Sequence, residues 1–298
     1  MTVHVIVNPV AGRGAGERLL PQIRSLFREF PGVEFTSTRV AGDEERLAEI
    51  AVSRGASDIL VVGGDGTCSG AANAILAANA TCRFGVIPCG TGNDFAKTLG
   101  VAAYEPEKVR NLMQNKTDSV IDVGFAEGRY FLNSCGFGFD PSVLEATQKV
   151  RLLKGDAVYV YSALRQLFSY RGIEVSANGV AGVEFGRMLM VTISNGRSLG
   201  GAFKIAPHAS VLDGKLDACF FSDSNVVERA SLFIGALRGT HLGMRAVSSA
   251  SIEACNLTFA RPPSMEMDGE LRIARSTTVE LKCVPRALSV VAAPGALV

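Results

Sequence analysis

The first 120 residues or so alternate between strand-like and helix-like segments, and this alternation restricts the fold more than any other feature. Apolar, β-branched runs predict strands, and segments with apolar residues at helical spacing predict helices between them. The predicted strands are 3–9, 33–40, 58–64 and 83–90, and the predicted helices are 16–30, 43–55 and 68–78. Strands joined by helical crossovers form a parallel sheet covered on both faces. We therefore predict an N-terminal three-layer α/β domain.

A change of pattern after about Val123 predicts a second domain that is rich in β-structure. Strand-like runs separated by turn residues dominate this part of the chain. They are 129–139, 172–180, 187–195, 215–221, 251–260, 277–283 and 286–294, with predicted helices near 156–170 and 226–238. The expected fold class is α/β followed by β.

Composition excludes several classes of protein. Apolar residues make up 47% of the 298 residues and charged residues 20%, which is typical of a folded globular protein. The net charge of +1 gives no field over the whole molecule that would attract nucleic acid, so we expect no nucleic-acid partner. Seven cysteines are scattered singly, which indicates buried reduced thiols, a cytoplasmic location and no zinc site.

The sequence GGDGT, residues 63–67, lies between the third predicted strand and the next helix. Ligands of open α/β sheets bind at the carboxyl ends of strands, where helix N-termini favour phosphate. The glycines admit phosphate to the backbone, and the Thr67 hydroxyl can bond a phosphate oxygen. The Asp65 carboxylate repels phosphate, which indicates a role with Mg²⁺ or with a catalytic proton. A tight turn in which Asp65 caps the helix is the structural alternative.

The sequence PCGTGNDF, residues 88–95, repeats this arrangement at the next strand end. It offers two bare backbone positions, a hydroxyl, an amide and a carboxylate, which are Gly90, Gly92, Thr91, Asn93 and Asp94. Helix capping by Asp94 is again the structural alternative. Because two such loops follow neighbouring strands, the interpretation that both have a purely structural role is less favoured.

The sequence NPVAG, residues 8–12, ends the first predicted strand. Its Asn8 could hold part of a nucleotide or brace the turn. A Walker loop is absent, and the GRGAGE and GTGNDF sequences lack the last glycine of a dinucleotide fingerprint. The loops therefore belong to a different class of phosphate site.

In combination, NPVAG, GGDGT and PCGTGNDFA resemble the diacylglycerol kinase catalytic-domain family of lipid kinases, which includes soluble bacterial diacylglycerol kinases and sphingosine and ceramide kinases. The resemblance covers almost the whole chain and extends to TRVAGD, VIDVGF, LRGTHLG and MEMDGE. It implies that an α/β domain binds ATP, that a β-sandwich carries the acceptor, and that the active site lies in the cleft between them. It also implies that 287–298 return to the first domain, which gives domains of 1–123 plus 287–298 and of 124–286.

The resemblance also implies which residues bind ATP, and they lie at or near the predicted strand ends. They are Asn8, Pro9, Val10, Ala11, Gly12, Thr38, Gly63, Gly64, Asp65, Gly66, Thr67, Cys68, Ser69, Gly90, Thr91, Asn93 and Asp94. Asp65 is expected to organise Mg²⁺ near the transferred phosphoryl group.

The sequence HASVLDGKLD, residues 208–217, resembles the Mg²⁺ segment of the family. The implied ligands are Ser210, Asp213 and Lys215, the first and third through backbone carbonyls. Leu212 stands where many relatives carry an acid, which leaves one fewer oxygen for Mg²⁺.

The proton acceptor of the family falls on Glu270, with Asp268 close by. From the residues alone, an Asp-Gly hairpin turn is the structural interpretation of this stretch.

These features predict transfer of the γ-phosphoryl group of MgATP to a lipid hydroxyl, foremost that of diacylglycerol. A sphingoid base, ceramide or phosphatidylglycerol remains an alternative acceptor, and NAD kinases share the GGDGT loop. A nucleotide- or lipid-binding regulator without catalysis is the alternative from another class.

A lipid acceptor implies contact with a membrane surface, and residues 148–172 are the candidate face. Five basic residues and one acid give this segment a local charge of +4, and apolar residues recur along it. Interfacial helices combine these features, although a helix packed on the β-domain would show them as well. We expect a cytoplasmic protein with peripheral contact at the inner membrane face, and a homodimer remains open.

Overall fold

The computed structural model describes residues 2–115, 118–147, 161–162, 165–167, 169–180 and 185–297. The chain forms two compact units, Met1–Asp122 with Arg286–Val298 and Val123–Pro285. The first unit is an α/β domain with parallel strands, and the second is an antiparallel β-sandwich.

The N-terminal unit alternates strands and helices. Its elements are β1 (Val3–Val7), α1 (Ala11–Leu26), β2 (Val33–Ser37), α2 (Asp43–Ser53), β3 (Asp58–Gly63), α3 (Asp65–Ala77), β4 (Arg83–Pro88), α4 (Asp94–Thr98), α5 (Pro106–Asn115) and the start of β5 (Asp118–Ala126). All residues of β1, β3 and β4 are buried, as expected of strands that helices cover on both faces.

The parallel sheet places β1 between β2 and β3, with β4 on the other side of β3. Val3 lies opposite Val33 on one side and Asp58 on the other, and Asp58 lies opposite Arg83. Because the strands run in the same direction, the residues that follow β1 to β4 lie along one edge of the sheet.

The C-terminal unit contains the remaining elements. They are β6 (Arg129–Phe131), β7 (Ser134–Gly138), α6 (Phe139–Thr147), β8 (Ile173–Asn178), β9 (Phe185–Ser194), β10 (Leu216–Ser222), α7 (Val226–Arg238), β11 (Val247–Ile252), β12 (Ala254–Phe259), β13 (Ser264–Met267), β14 (Glu270–Ile273) and β15 (Thr278–Val291). Strand β9 pairs with β7, β8 and β10, all antiparallel. The last residues of β15 belong to the N-terminal unit, where Val290 pairs in parallel with Phe84.

Several boundaries differ from the sequence-based prediction. Helix α3 begins at Asp65, three residues before its predicted start, because GGDGT supplies the first helical turn. The predicted strand 251–260 is interrupted at Glu253, and the two strands predicted at 277–283 and 286–294 form the single strand β15. Helix α6 was not predicted, because its sequence was interpreted as part of a strand-rich region.

Most of the candidate membrane face at 148–172 lies outside the described residues. Within the part that the structure describes, Leu167 is buried, whereas Arg165 and Arg171 are exposed. Across the described ranges, no helix is long and apolar enough to cross a membrane.

All seven cysteines are free thiols, and six are buried, as the sequence predicts.

Candidate active site

Most of the predicted ATP-binding residues lie at four strand ends of the parallel sheet. Asn8 follows β1, and Thr38 follows β2. Residues 63–69 run from the end of β3 into α3, and residues 90–94 follow β4 and open α4. Since these four strands are parallel neighbours, the structure brings the predicted groups together at one edge.

Glycines allow the loops at this edge to touch. A Cβ atom on Gly90 would lie 2.4 Å from the Cα of Gly64, so the loops after β3 and β4 meet backbone to backbone. Gly12 has φ +54°, and a Cβ atom there would lie 1.9 Å from the carbonyl oxygen of Cys89. Side chains at these positions would separate the loops. The turn between β1 and α1 consists of Asn8, Pro9 and Val10, with Val10 exposed, and Ala11 and Gly12 are the first two residues of α1.

Side-chain hydrogen bonds tie the same loops to each other. Asn8 donates from Nδ2 to Oγ1 of Thr67 at 3.0 Å, which links the end of β1 to α3. Asp65 Oδ1 accepts the backbone N–H of Phe95 at 3.0 Å, which links α3 to α4. The N-cap residue of α3 is Gly64, so Asp65 lies in the first turn of its helix and is not its N-cap residue.

Asn93 closes the loop that precedes α4. Its φ is +53°, its Oδ1 accepts the N–H of Gly90 at 2.9 Å, and its Nδ2 donates to the Gly90 carbonyl at 3.0 Å. Asp94 is buried and accepts a hydrogen bond from Nζ of Lys97 at 2.9 Å. Asp94 therefore lies within the first turn of α4 and does not cap it, while Thr91 is exposed at the tip of the loop.

The first turn of α3 is the candidate phosphate site. The leading N–H groups of an α-helix lack intrahelical partners, and the helix dipole favours an anion there. Asp65 and Gly66 are partly exposed, whereas Cys68 and Ser69 are buried. The N–H of Cys68 is bonded to the carbonyl of Gly64 at 3.0 Å. The donors that remain for a phosphate therefore precede Cys68.

In the C-terminal unit, Asp268 and Gly269 form the tight turn between β13 and β14. Their φ angles are +50° and +88°, which is typical of a two-residue type I′ hairpin turn. The hairpin interpretation of this stretch is therefore confirmed. Glu270 is the first residue of β14, directly after the turn.

The carboxylate of Asp268 is fully engaged with the backbone. It accepts N–H bonds from Leu132 at 2.7 Å, from Asn133 at 2.8 Å and from Ser134 at 3.2 Å. Only 3% of Asp268 is exposed. Asp268 therefore holds the 132–134 segment against the hairpin. Because its carboxylate is engaged in this way, Glu270 is favoured over Asp268 as the proton acceptor.

Glu270 has an accessible carboxylate. Its side chain is 41% exposed, and its Oε2 accepts a hydrogen bond from a terminal nitrogen of Arg272 at 2.7 Å. Sequence reasoning missed Arg272, although residues two apart on a strand share a face. It also missed Glu266 and Asp140, two buried acids near the same turn.

The candidate Mg²⁺ segment lies in the turn before β10. Ser210 Oγ accepts the N–H of Leu212 at 3.3 Å, and Asp213 Oδ1 accepts the N–H of Lys215 at 3.0 Å. Leu212 is exposed. Within the described parts of the chain, no group of three acidic, histidine or cysteine residues could hold a metal.

The donor chemistry of this turn fits Mg²⁺ in part. A hydroxyl, a carboxylate and backbone carbonyls are the hard oxygen donors that Mg²⁺ prefers, together with water. The Lys215 ammonium can bind no cation, so Lys215 could contribute only its carbonyl oxygen. With Asp213 as the one carboxylate among the three predicted ligands, most of the coordination shell would consist of water and phosphate.

A cavity of ≈ 50 Å³ lies inside the C-terminal unit. Its walls are apolar apart from Asp140 and Arg229, and they include Phe203 and Leu232. A cavity of this size holds about one or two water-sized groups. An acyl chain could therefore enter only if the cavity widened.

Comparison with known proteins accounts for both units. The diacylglycerol kinase catalytic domain matches residues 2–126, and the YegS C-terminal NAD kinase beta sandwich-like domain matches residues 133–292. A diacylglycerol kinase of Bacillus subtilis is 28% identical over 90% of this chain and 89% of its own length. A YegS-like lipid kinase of Pseudomonas putida is 31% identical over 77% of this chain and 76% of its own length.

Solved structures show the same fold. The crystal structure of a diacylglycerol kinase from Bacillus anthracis str. Sterne superposes with a TM-score of 0.73 at 21% identity, covering 100% of this chain and 98% of that one. Membership of a kinase family implies the use of ATP. The chain therefore belongs to the diacylglycerol kinase family that includes the YegS-like lipid kinases, and it is an enzyme of the kinase class.

Proposed function

We propose that the enzyme transfers the γ-phosphoryl group of ATP to the hydroxyl group of diacylglycerol. The observation that carries the assignment of ATP as the phosphoryl donor is the contact between the Gly64 and Gly90 loops beside the N-terminus of α3. Diacylglycerol as the acceptor is supported by relatives named diacylglycerol kinase, which match 90% of this chain. The YegS-like relatives favour a second candidate, the hydroxyl of another lipid.

The proposed nucleotide site works mainly by positioning. Backbone N–H groups at the start of α3 hold phosphate oxygens, and the glycines at 63, 64 and 90 let the phosphates approach the backbone. Thr67, braced by Asn8, fixes the first turn of α3. In the N-terminal unit Asp65 would organise Mg²⁺, and in the C-terminal unit Ser210, Asp213 and the carbonyl of Lys215 are the predicted Mg²⁺ ligands. When bound, Mg²⁺ neutralises phosphate charge.

The proposed chemical step is an in-line displacement. The acceptor hydroxyl oxygen forms a bond to the γ-phosphorus as the bond from that phosphorus to the ADP oxygen breaks. Glu270 accepts the hydroxyl proton, which contributes about 10²–10⁴-fold to the rate. The Arg272 guanidinium orients the Glu270 carboxylate through the 2.7 Å bond.

The acceptor is proposed to lie in a membrane surface that the protein contacts from the cytoplasmic side. Arg165 and Arg171, both exposed, support this location, because cations attract anionic lipid head groups. A homodimer remains a prediction.

The test is transfer of labelled phosphate from MgATP to lipids in mixed micelles. The panel contains diacylglycerol, sphingosine, ceramide, phosphatidylglycerol and a polyprenol, with NAD as the soluble comparison and Asp65→Ala as the blank. Label on diacylglycerol that disappears with Asp65→Ala supports the proposal. Label on another lipid moves the assignment to the second candidate, and label on NAD alone contradicts a lipid acceptor.

A further inference from the structure

Two acidic side chains are buried side by side behind the Asp268–Gly269 turn. Asp140, in the first turn of α6, is 1% exposed, and Glu266, on β13, is 4% exposed. Glu266 lies opposite Gly136 of β7 in the antiparallel register. A Cβ atom on Gly136 would lie 2.5 Å from Oδ2 of Asp140. The missing side chain at Gly136 therefore provides the space in which the Asp140 carboxyl group meets the strand that carries Glu266.

The contacts of Glu266 connect this pair to the turn. Its Oε1 accepts the backbone N–H of Gly269, and its Oε2 is buried without a hydrogen-bond partner among the described residues. The negative charge of Asp140 acts on the same carboxyl group. Gly269 immediately precedes Glu270. Two ionised carboxylates repel each other when they are buried and in contact, so a hydrogen bond between them requires a proton on one of them.

We propose that Asp140 and Glu266 share one proton and act together as positioning residues for the turn that presents Glu270. Protonated Glu266 donates to Asp140, and its other oxygen holds the Gly269 N–H. Neither carboxyl group contacts the reacting atoms. This inference rests on the proposed function of Glu270 as proton acceptor, although the shared proton can be tested without any activity.

The surroundings of Glu266 indicate which acid carries the proton. Burial, followed by the negative charge of Asp140, raises the pKa of Glu266 well above its usual value. Among the described residues, the titratable groups that also act on this site include Asp268 in the turn and the thiol of Cys135 on β7, whose pKa is raised by burial. The protonated form of Glu266 thus belongs to the folded state. Its stabilising effect is complete below the ordinary pKa of a glutamate and is lost as the pH rises through the raised pKa.

The first test measures stability and needs no substrate. Glu266→Gln keeps a neutral side chain with an oxygen acceptor for Gly269 and an N–H donor for Asp140. Thermal midpoints of the wild type and of Glu266→Gln are compared between about pH 5 and about pH 9. Between the ordinary pKa of a glutamate and the raised pKa, the wild type should lose about 2–4 °C per pH unit relative to Glu266→Gln, and above the raised pKa the difference should stay constant. Parallel curves over the whole range would overturn the shared proton.

Two further variants make this test specific. Glu253→Gln changes an exposed glutamate of the same unit and should follow the wild-type curve. Asp140→Asn removes the negative charge that helps to raise the pKa of Glu266, so the decline in stability should end at a lower pH than in the wild type. A decline that does not move in Asp140→Asn would contradict the pairing of the two acids.

The second test measures phosphoryl transfer to diacylglycerol. Glu266→Leu removes the acceptor of the Gly269 N–H and should lower kcat about 10–100-fold, with an unchanged KM for MgATP. Glu266→Gln should restore kcat to within about threefold of the wild type, because it keeps both hydrogen bonds. Normal turnover in a folded Glu266→Leu enzyme would overturn the positioning role. If the wild type transfers no labelled phosphate to any acceptor, the proposed function fails. The thermal curves then test on their own whether Asp140 and Glu266 share a proton.

Discussion

At the scale of single residues, Asp268 and Glu270 lie two positions apart but meet different surroundings. Three backbone N–H groups surround the Asp268 carboxylate, which is buried. Among the described residues, Glu270 has one side-chain partner, Arg272, and it keeps 41% of its side chain exposed. The first arrangement holds backbone in place, and the second leaves a carboxylate that an acceptor hydroxyl can reach. Removal of the Asp268 carboxylate should therefore lower stability, whereas removal of the Glu270 carboxylate should lower turnover.

Asp268→Ala should lower the free energy of unfolding by about 2–4 kcal/mol, because it leaves buried N–H donors of the 132–134 segment without an acceptor. Denaturant unfolding monitored by circular dichroism measures this change. Glu270→Gln is the matched comparison, since loss of an exposed ion pair costs at most about 1 kcal/mol. A stable Asp268→Ala protein would show that the three bonds do not hold the segment.

Glu270→Gln should bind nucleotide normally and lose turnover. A carboxamide cannot accept the hydroxyl proton, so kcat should fall about 10²–10⁴-fold. Titration with a fluorescent ATP analogue and measurement of phosphoryl transfer separate the two effects. Near-normal turnover would remove Glu270 from the proposed mechanism, and weakened nucleotide binding would point to a role in the ATP site.

At the scale of elements, local patterns predicted the βα units, because strand and helix periodicities are properties of neighbouring residues. The Gly-rich loops were identified for the same reason. The Asp65–Phe95 bond and the Glu266–Asp140 pair were not predictable, since each joins positions far apart in the chain. The three-residue error at the start of α3 arose because Asp65, Gly66 and Thr67 carry no apolar periodicity, although they form its first turn.

The contact between the loops after β3 and β4 leads to a prediction at this scale. In Gly90→Ala the new Cβ atom would lie 2.4 Å from the Cα of Gly64, so the two loops must separate. Overpacking of this kind costs about 1–3 kcal/mol, and the dissociation constant for an ATP analogue should rise about tenfold or more. Gly243→Ala is the control, because nothing lies within 4 Å of its added Cβ atom. Equal affinities in the two variants would show that this contact does not shape the nucleotide site.

At the scale of the whole molecule, the net charge of +1 provides little attraction to an anionic surface, so the proposed membrane contact would require a local basic face. Arg165 and Arg171 are exposed while Leu167, between them, is buried, so the described part of this segment turns an apolar side chain inward and charge outward. That arrangement suits a packed helix whose basic edge can contact lipid head groups. Binding through such an edge would be electrostatic and would weaken as salt is added.

Replacement of Arg165 and Arg171 by glutamine should therefore weaken binding to phosphatidylglycerol vesicles by about 30-fold, since each basic residue near an anionic membrane contributes about 1 kcal/mol. Replacement of Arg28 and Arg39, which are exposed in the N-terminal unit, is the matched control because it changes the net charge by the same amount. Flotation of the protein with vesicles at low and high salt measures both. If the two double variants bind equally well, the effect belongs to net charge and not to this face. If only the first is weakened, and only at low salt, the basic edge at Arg165 and Arg171 is the surface through which the kinase reaches its lipid.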